Sequence, residues 1–228
     1  MKDKLADVIS RINKLLRVAS SSDKPGEVAS AQAIAQELIT KYQIEEAQLH
    51  EHIGVGDITS KIVYMPKPYV IDKSMLLNSI AKHNFCKVLR GNDYCIIYGY
   101  DSDITLCVAL YETLSLHMIS EMHSKLDQAK SEDTVKDTRS WIKSFFGGYT
   151  LMIAERIEAS KTRTINDLQS KSTSVAIAVK DKQHAIEEFF QGISYHRSSD
   201  RKISSESGYA AGTISAKNAV INQTTLEE

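Results

Sequence analysis

No stretch of this 228-residue chain approaches the roughly 20 consecutive apolar residues of a membrane-crossing helix, so no membrane span is expected. The opening Met1-Lys2-Asp3-Lys4 runs straight into an amphipathic pattern and lacks the apolar region of a secretory leader. Cysteine is scarce. Cys86, Cys95 and Cys107 sit in apolar surroundings without a C-x-x-C pair, which argues against a disulfide scaffold and for reduced core thiols. These features place the chain in the cytoplasm. Net charge is only −1, so no global field is available to hold nucleic acid or an anionic membrane. There is no G-x-x-x-x-G-K-S/T loop, no G-x-S-x-G elbow and no Cys–His pair in a recognisable context. No motif implies a cofactor.

What is present suits a globular fold. Hydrophobic residues make up 42% and charged residues 25%, enough to bury a real core. Charge is uneven near the start: residues 1–25 carry six Lys/Arg against three Asp, and residues 26–60 one Lys against six acids. Such a dipole reads as solvated helix faces. Leu5, Val8, Ile9, Ile12, Leu15, Leu16 and Ala19 keep helical spacing, and Pro25 with Glu27 opens a second stripe from Val28 to Tyr42. The small alanines of the second helix suit a close antiparallel hairpin, capped by a short piece around Glu45–Leu49.

Residues 52–57 read as a linker. Thr59–Met65 then reads as a strand stopped by Pro66 and Pro68, and Asp72-Lys73-Ser74 starts a helix. Phe85–Leu89 and Tyr94–Tyr98 flank Arg90-Gly91-Asn92-Asp93, a β-hairpin signal. Asp101, Ser102 or Asp103 is expected to N-cap a long helix over about 103–127. A further helix carries Trp141, Phe145, Tyr149 and Ile153, with Gly147-Gly148 in its middle. Two helical glycines forfeit about 2 kcal/mol relative to alanines, so either a close contact or a break between two helices is expected there. Thr173–Val179 reads as a strand and Ala185–Phe190 as a short helix. A Ser-rich stretch and a weak small-residue helix over Gly208–Val220 follow.

Several constellations carry chemistry. His117, Glu121 and His123 form H-x3-E-x-H, but His123 is six residues from His117 and the spacing fits a zinc helix poorly, so no metal is expected. Asp101 and Asp103 beside Gly99 suit helix capping, with a cation or acid–base role as the alternative. Arg156, among apolar neighbours, needs a carboxylate or an anionic ligand. Arg197, Arg201 and Lys202 among serines are candidates for phosphate contact, against the reading of a solvated linker.

The run Ile12-Asn13-Lys14-Leu15-Leu16-Arg17-Val18-Ala19, the alanine-rich helix and Glu37-Leu38-Ile39-Thr40-Lys41-Tyr42 resemble a domain of unknown function common in bacteria, prophages and phages. The middle resembles the domain that often follows it. Phe85-Cys86-Lys87-Val88, Ile97-Tyr98-Gly99 with Asp103, Tyr111-Glu112-Thr113-Leu114, and Trp141 through Phe145-Phe146-Gly147-Gly148-Tyr149 to Arg156-Ile157 carry that likeness. Gly208-Tyr209-Ala210-Ala211-Gly212 is similar to its small-residue C-terminal segment, although that family is more Arg-rich there. The resemblance implies a bacterial host and a phage or prophage setting, and no established activity.

The expected architecture is α+β: an antiparallel helical hairpin (1–50), a mainly helical body with a small antiparallel sheet (58–192), and a partly flexible C-terminal segment (193–228). The expected function is macromolecular interaction, with a host or phage protein as partner and nucleic acid bound only weakly. The alternative is a small-ligand site or enzyme built near Gly99–Asp103, Gly147-Gly148 and Arg156.

Overall fold

The computed structural model describes residues 7–12, 14–15, 25–49, 57–170, 174–194 and 203–219, with main chain alone at 25–33, 48 and 49. Helix α1 covers 7–12 and 14–15. It is followed by α2 (Pro25–Leu49), β1 (Thr59–Tyr64), α3 (Val70–His83), β2 (Lys87–Arg90) and β3 (Tyr94–Gly99). Four more helices complete the order: α4 (Asp101–Ser131), α5 (Thr138–Gln169), α6 (Ser174–Phe190) and α7 (Glu206–Asn218). The fold is α+β, mostly helical with one three-stranded sheet.

The sheet is antiparallel with strand order β1-β3-β2. The β2–β3 hairpin closes where the turn residues lie, with the Gly91 amide donating to the Tyr94 carbonyl at 2.8 Å. The Tyr94 ring packs over that turn: a Cβ at Gly91 would stand 2.6 Å from it, so any larger residue there would have to displace the ring. Cys95 and Ile97 point inward and are buried with Met65, Leu76, Ile80, Cys107 and Leu114 in the main core.

Helix α5 is the spine of the molecule. Asp137 caps it, accepting from the Arg139 and Ser140 amides at 3.1 Å each. Trp141, Phe145, Tyr149, Ile153 and Ile157 recur every four residues and are all buried. Their rings stack, with centroids 5.6 Å apart from Trp141 to Phe145 and 6.3 Å from Phe145 to Tyr149. The helix runs unbroken through Gly147 and Gly148. A Cβ at Gly148 would overlap the Tyr209 carbonyl oxygen of α7, whereas one at Gly147 would meet nothing within 4 Å. The contact is reciprocal. Cβ atoms at Gly208 and Gly212 of α7 would overlap the Trp141 and Phe145 carbonyl oxygens of α5. Three glycines therefore bring two helix backbones together. Polar bonds hold both ends of α7 to α5. Ser144 Oγ accepts from the Ser204 and Ser205 amides at 3.2 and 3.0 Å, and the Arg156 guanidinium donates to the Ala216 and Ala219 carbonyls.

At the N-terminus, Val8 and Ile12 of α1 pack with Ala35, Ile39 and Tyr42 of α2 and Leu106 of α4, with Leu15 partly buried beside them. Leu16 and the Ala31 side chain lie outside the described residues.

Four expectations need correction. The strand read at Thr173–Val179 is the first part of α6, which also absorbs the short helix at Ala185–Phe190; Thr173 itself lies outside the described residues. A five-residue apolar run fits either period, and the buried positions Val175, Ala178, Lys182, Ala185 and Ile186 follow the helical one. The piece at Glu45–Leu49 is not separate, because α2 continues through it. The long helix is capped by Tyr100 with no side-chain hydrogen bond, which places Asp101, Ser102 and Asp103 inside its first turn. Helix α3 begins at Val70, two residues before Asp72.

The glycine contact makes a sharp distinction between neighbours. Gly148→Ala and Gly212→Ala should each destabilise by about 2–3 kcal/mol, because the added methyl meets main chain that cannot rotate away. Gly147→Ala should gain up to about 1 kcal/mol from helix propensity. Urea unfolding of the three variants checks this ordering.

Candidate functional site

The sequence-derived candidates occupy different parts of the molecule. Asp101 is exposed in the first turn of α4, its carbonyl accepting from Thr105 Oγ1 at 2.8 Å. Asp103, two residues on, is fully buried. Gly148 and Arg156 both face α7, and Gly147 faces open space. Arg197, Arg201 and Lys202 lie outside the described residues. The two ends of the His117–Glu121 face have separate partners: His117 Nδ1 is 3.0 Å from Tyr149 Oη, and Ser215 Oγ donates to Glu121 Oε2 at 2.9 Å. Burial holds the His117 imidazole below its usual value and pushes the Tyr149 phenol up. His123 is exposed.

The densest buried chemistry surrounds Lys182 of α6, whose side chain is only 2% exposed. Its ammonium lies 2.9 Å from Asp103 Oδ2 and 3.5 Å from Glu46 Oε2 of α2. Ser102 Oγ donates to the same Glu46 oxygen. Aromatic faces complete the surroundings, with Nζ 5.0 Å from the Tyr100 centroid and 5.7 Å from that of Phe85. Phe85 takes a left-handed backbone (φ 55°) where the chain leaves α3 for β2. A second ammonium, Lys161 of α5, sits 3.5 Å from the Phe85 centroid and donates to the His83 carbonyl at 2.7 Å. Burial lowers Lys161 to about 8. The Asp103 carboxyl is raised to about 6, because burial outweighs the pull of Lys182.

This geometry holds elements together. One cation from α6 bridges carboxylates from α2 and α4 in a largely buried site, where an unpaired charge would cost several kcal/mol. Asp103 Oδ1 makes no hydrogen bond among the described residues, nor do the buried Gln36 and Gln43 side-chain oxygens of α2. Nearby, α2 and α5 border a polar cleft of about 210 Å³ lined by Glu37, Lys41, Thr164, Asp167, Leu168 and Ser170. Glu37 and Lys41 pair with each other across one helical turn.

The outer face of the sheet has the opposite character. The register stacks Tyr64 beside Tyr94, then Ile62 beside Ile96 beside Leu89, then Ser60 beside Tyr98 beside Lys87. Tyr64 is 73% exposed and Ile62 51%, while Leu89, Tyr94 and Ile96 are half-buried. Among the described residues, the Tyr98 end alone is roofed, by Phe189 and Phe190 of α6 at centroid distances of 5.8 and 5.3 Å. Sequence reading places all three strands and misses this face. The signal was available, since Ile62-Val63-Tyr64 and Tyr94-Cys95-Ile96-Ile97-Tyr98 are apolar at both parities, a pattern that calls for cover on both faces.

A family described as a protein of unknown function, DUF2786, matches residues 7–46, which span α1 and α2 as far as Glu46. No curated protein and no solved structure matches the chain. Among the described residues, no helix is long and apolar enough to cross a membrane.

Lys182→Met should cost about 3–5 kcal/mol, because it leaves the Asp103 carboxylate buried without its cation. The loss should be pH-dependent. A carboxyl whose folded pKa lies above its unfolded value contributes stability below the unfolded value and loses it as pH rises through the folded one. Asp103 already stands near 6, and removing Lys182 raises it further. The variant should therefore weaken progressively as pH rises from about 4 to beyond about 6, and adding Asp103→Leu should restore much of the loss. Denaturant midpoints measured across that range check both statements.

Proposed function

We propose that the protein is a macromolecular interaction protein whose working surface is the outer face of the sheet, acting in the bacterial cytoplasm in a phage or prophage setting. The observation that carries this reading is the exposure of Tyr64 and Ile62 on one continuous apolar face with Leu89, Tyr94 and Ile96. Solvent-facing aromatic and aliphatic side chains arranged as a contiguous patch are a recurrent mark of a binding surface. The buried charges favour it too. Lys182 and Asp103 are satisfied largely by each other and closed to solvent, a poor arrangement for receiving a substrate. The setting rests on the sequence resemblance alone, and the compartment on the composition of the sequence as well.

The test is site-specific photo-cross-linking of the full chain in bacterial cells. p-Benzoylphenylalanine in place of Tyr64 should yield a discrete adduct, and the same group in place of Leu116, 72% exposed on α4, should not. Absence of any adduct at position 64 would overturn the reading.

A further inference from the structure

Strand β1 is an edge of the sheet, and among the described residues it pairs with β3 alone. Its last rung is fixed by the Met65 amide, which donates to the Asp93 carbonyl at 2.8 Å. Alternate residues of an antiparallel strand turn their main-chain groups to opposite sides. Thr59, Lys61, Val63 and Met65 face β3 in this way, so the N–H and C=O groups of Ser60, Ile62 and Tyr64 point out from the edge. Every residue of β1 except Val63 is exposed, Thr59 and Lys61 on the core side included. The edge therefore stands clear on both faces among the described residues. A row of outward donors and acceptors is a template for another strand. Pro66, the next outward position, has no N–H to give, which ends the row at Tyr64.

We infer that this edge pairs with β1 of a second copy, antiparallel about a two-fold axis at Ile62, to give a six-stranded sheet. The strand's own sequence selects the register. Hydrogen bonding requires Ser60, Ile62 and Tyr64 to face one another, so near the middle of the strand Ile62 stands opposite either Ile62 or Ser60 of the second copy. With Ser60 opposite, Lys61 would meet Lys61 directly, a destabilising pair. With Ile62 opposite, Lys61 meets Val63 and Ser60 meets Tyr64. The same register joins the apolar rows. Leu89, Ile96 and Ile62 of one copy run on into Ile62, Ile96 and Leu89 of the other. Just beyond the strands it sets Asp57 of each copy opposite Lys67 of the other, so opposite charges meet at both ends. The contact uses the same patch on both chains and closes at two. It goes beyond the interaction reading above and does not depend on it, because the edge is consumed and the outer face stays open, now continuous across both copies.

Sedimentation velocity of the full chain tests this. The mass should rise from one chain to two between micromolar and near-millimolar concentration. Ile62→Pro removes the N–H at the two-fold axis and should hold the mass at one chain. That group points away from β3, so the fold should survive, with an unchanged circular dichroism spectrum. Ile62→Lys, at a position 51% exposed, sets like charges together on the axis and should have the same effect. Ile62→Cys checks the register, since the native cysteines are all buried. A short bismaleimide should join two chains through position 62. It should not do so through Thr59→Cys, whose sulfurs would lie about 20 Å apart. A single-chain mass at every concentration would overturn the inference and leave the interaction reading standing. A dimer that survives both Ile62→Pro and Ile62→Lys, or one joined through position 59 and not 62, would overturn it equally. In the photo-cross-linking above, an adduct at position 64 with the mass of two chains would support this dimer, and an adduct of any other mass would support a partner on the outer face.

Discussion

The contact between the backbones of α5 and α7 is the constraint on which the rest of the structure depends. Helix α5 carries the aromatic stripe from Trp141 to Tyr149, and the α7 backbone lies against the Trp141, Phe145 and Gly148 main chain. Such an approach leaves helix ends in apolar surroundings, where unsatisfied carbonyls are costly. Arg156 resolves this by donating to the carbonyls at the end of α7, and its charge complements the negative pole of that helix. Burial lowers Arg156 to about 10, still charged at neutral pH. Arg156, for which the sequence left a carboxylate partner or an anionic ligand open, clasps main-chain carbonyls of α7 in the structure. Ser215, donating to Glu121, extends the tie to α4.

The second organising element is ionic. Glu46 ends the DUF2786-matched segment, and through Lys182 it is joined to α6 and to the start of α4. A buried triad of this kind contributes little net stability compared with an apolar substitute, because desolvation offsets most of the attraction. Its effect is on arrangement: α2, α4 and α6 must meet in one register for the charges to be satisfied. The apolar cluster of Ile12, Ile39, Tyr42 and Leu106 supplies the burial that accompanies it. Together they seat the N-terminal helices on the body, whose sheet no described residue roofs at its Tyr64 end.

Much of this was legible in the sequence, for physical reasons. The stripes of α4 and α5 are long enough for helical periodicity to be unambiguous, and Arg90-Gly91-Asn92-Asp93 allows few conformations other than a turn. Gly147-Gly148 left a close contact or a helix break open, and only the structure shows that Gly148 makes a contact within an unbroken helix. Helix α6 was misread because its buried stripe runs through Lys182, so the one long-range signal of its period is interrupted by a charge. The partner of Asp103 lies 79 residues away, beyond any local pattern. The candidate site was missed for a related reason: a strand that is apolar at both parities looks like buried core, and only the packing of α6 over one end reveals that the other is open.

Native-state hydrogen exchange of the α7 amides tests the central claim most directly. If the glycine-mediated contact holds the molecule together, the amides from Tyr209 to Ala216 should exchange only by global unfolding, with the same denaturant dependence as those of Phe145 to Ile157 in α5. Exchange of α7 through a low-energy local opening, while α5 keeps its full protection, would contradict the account.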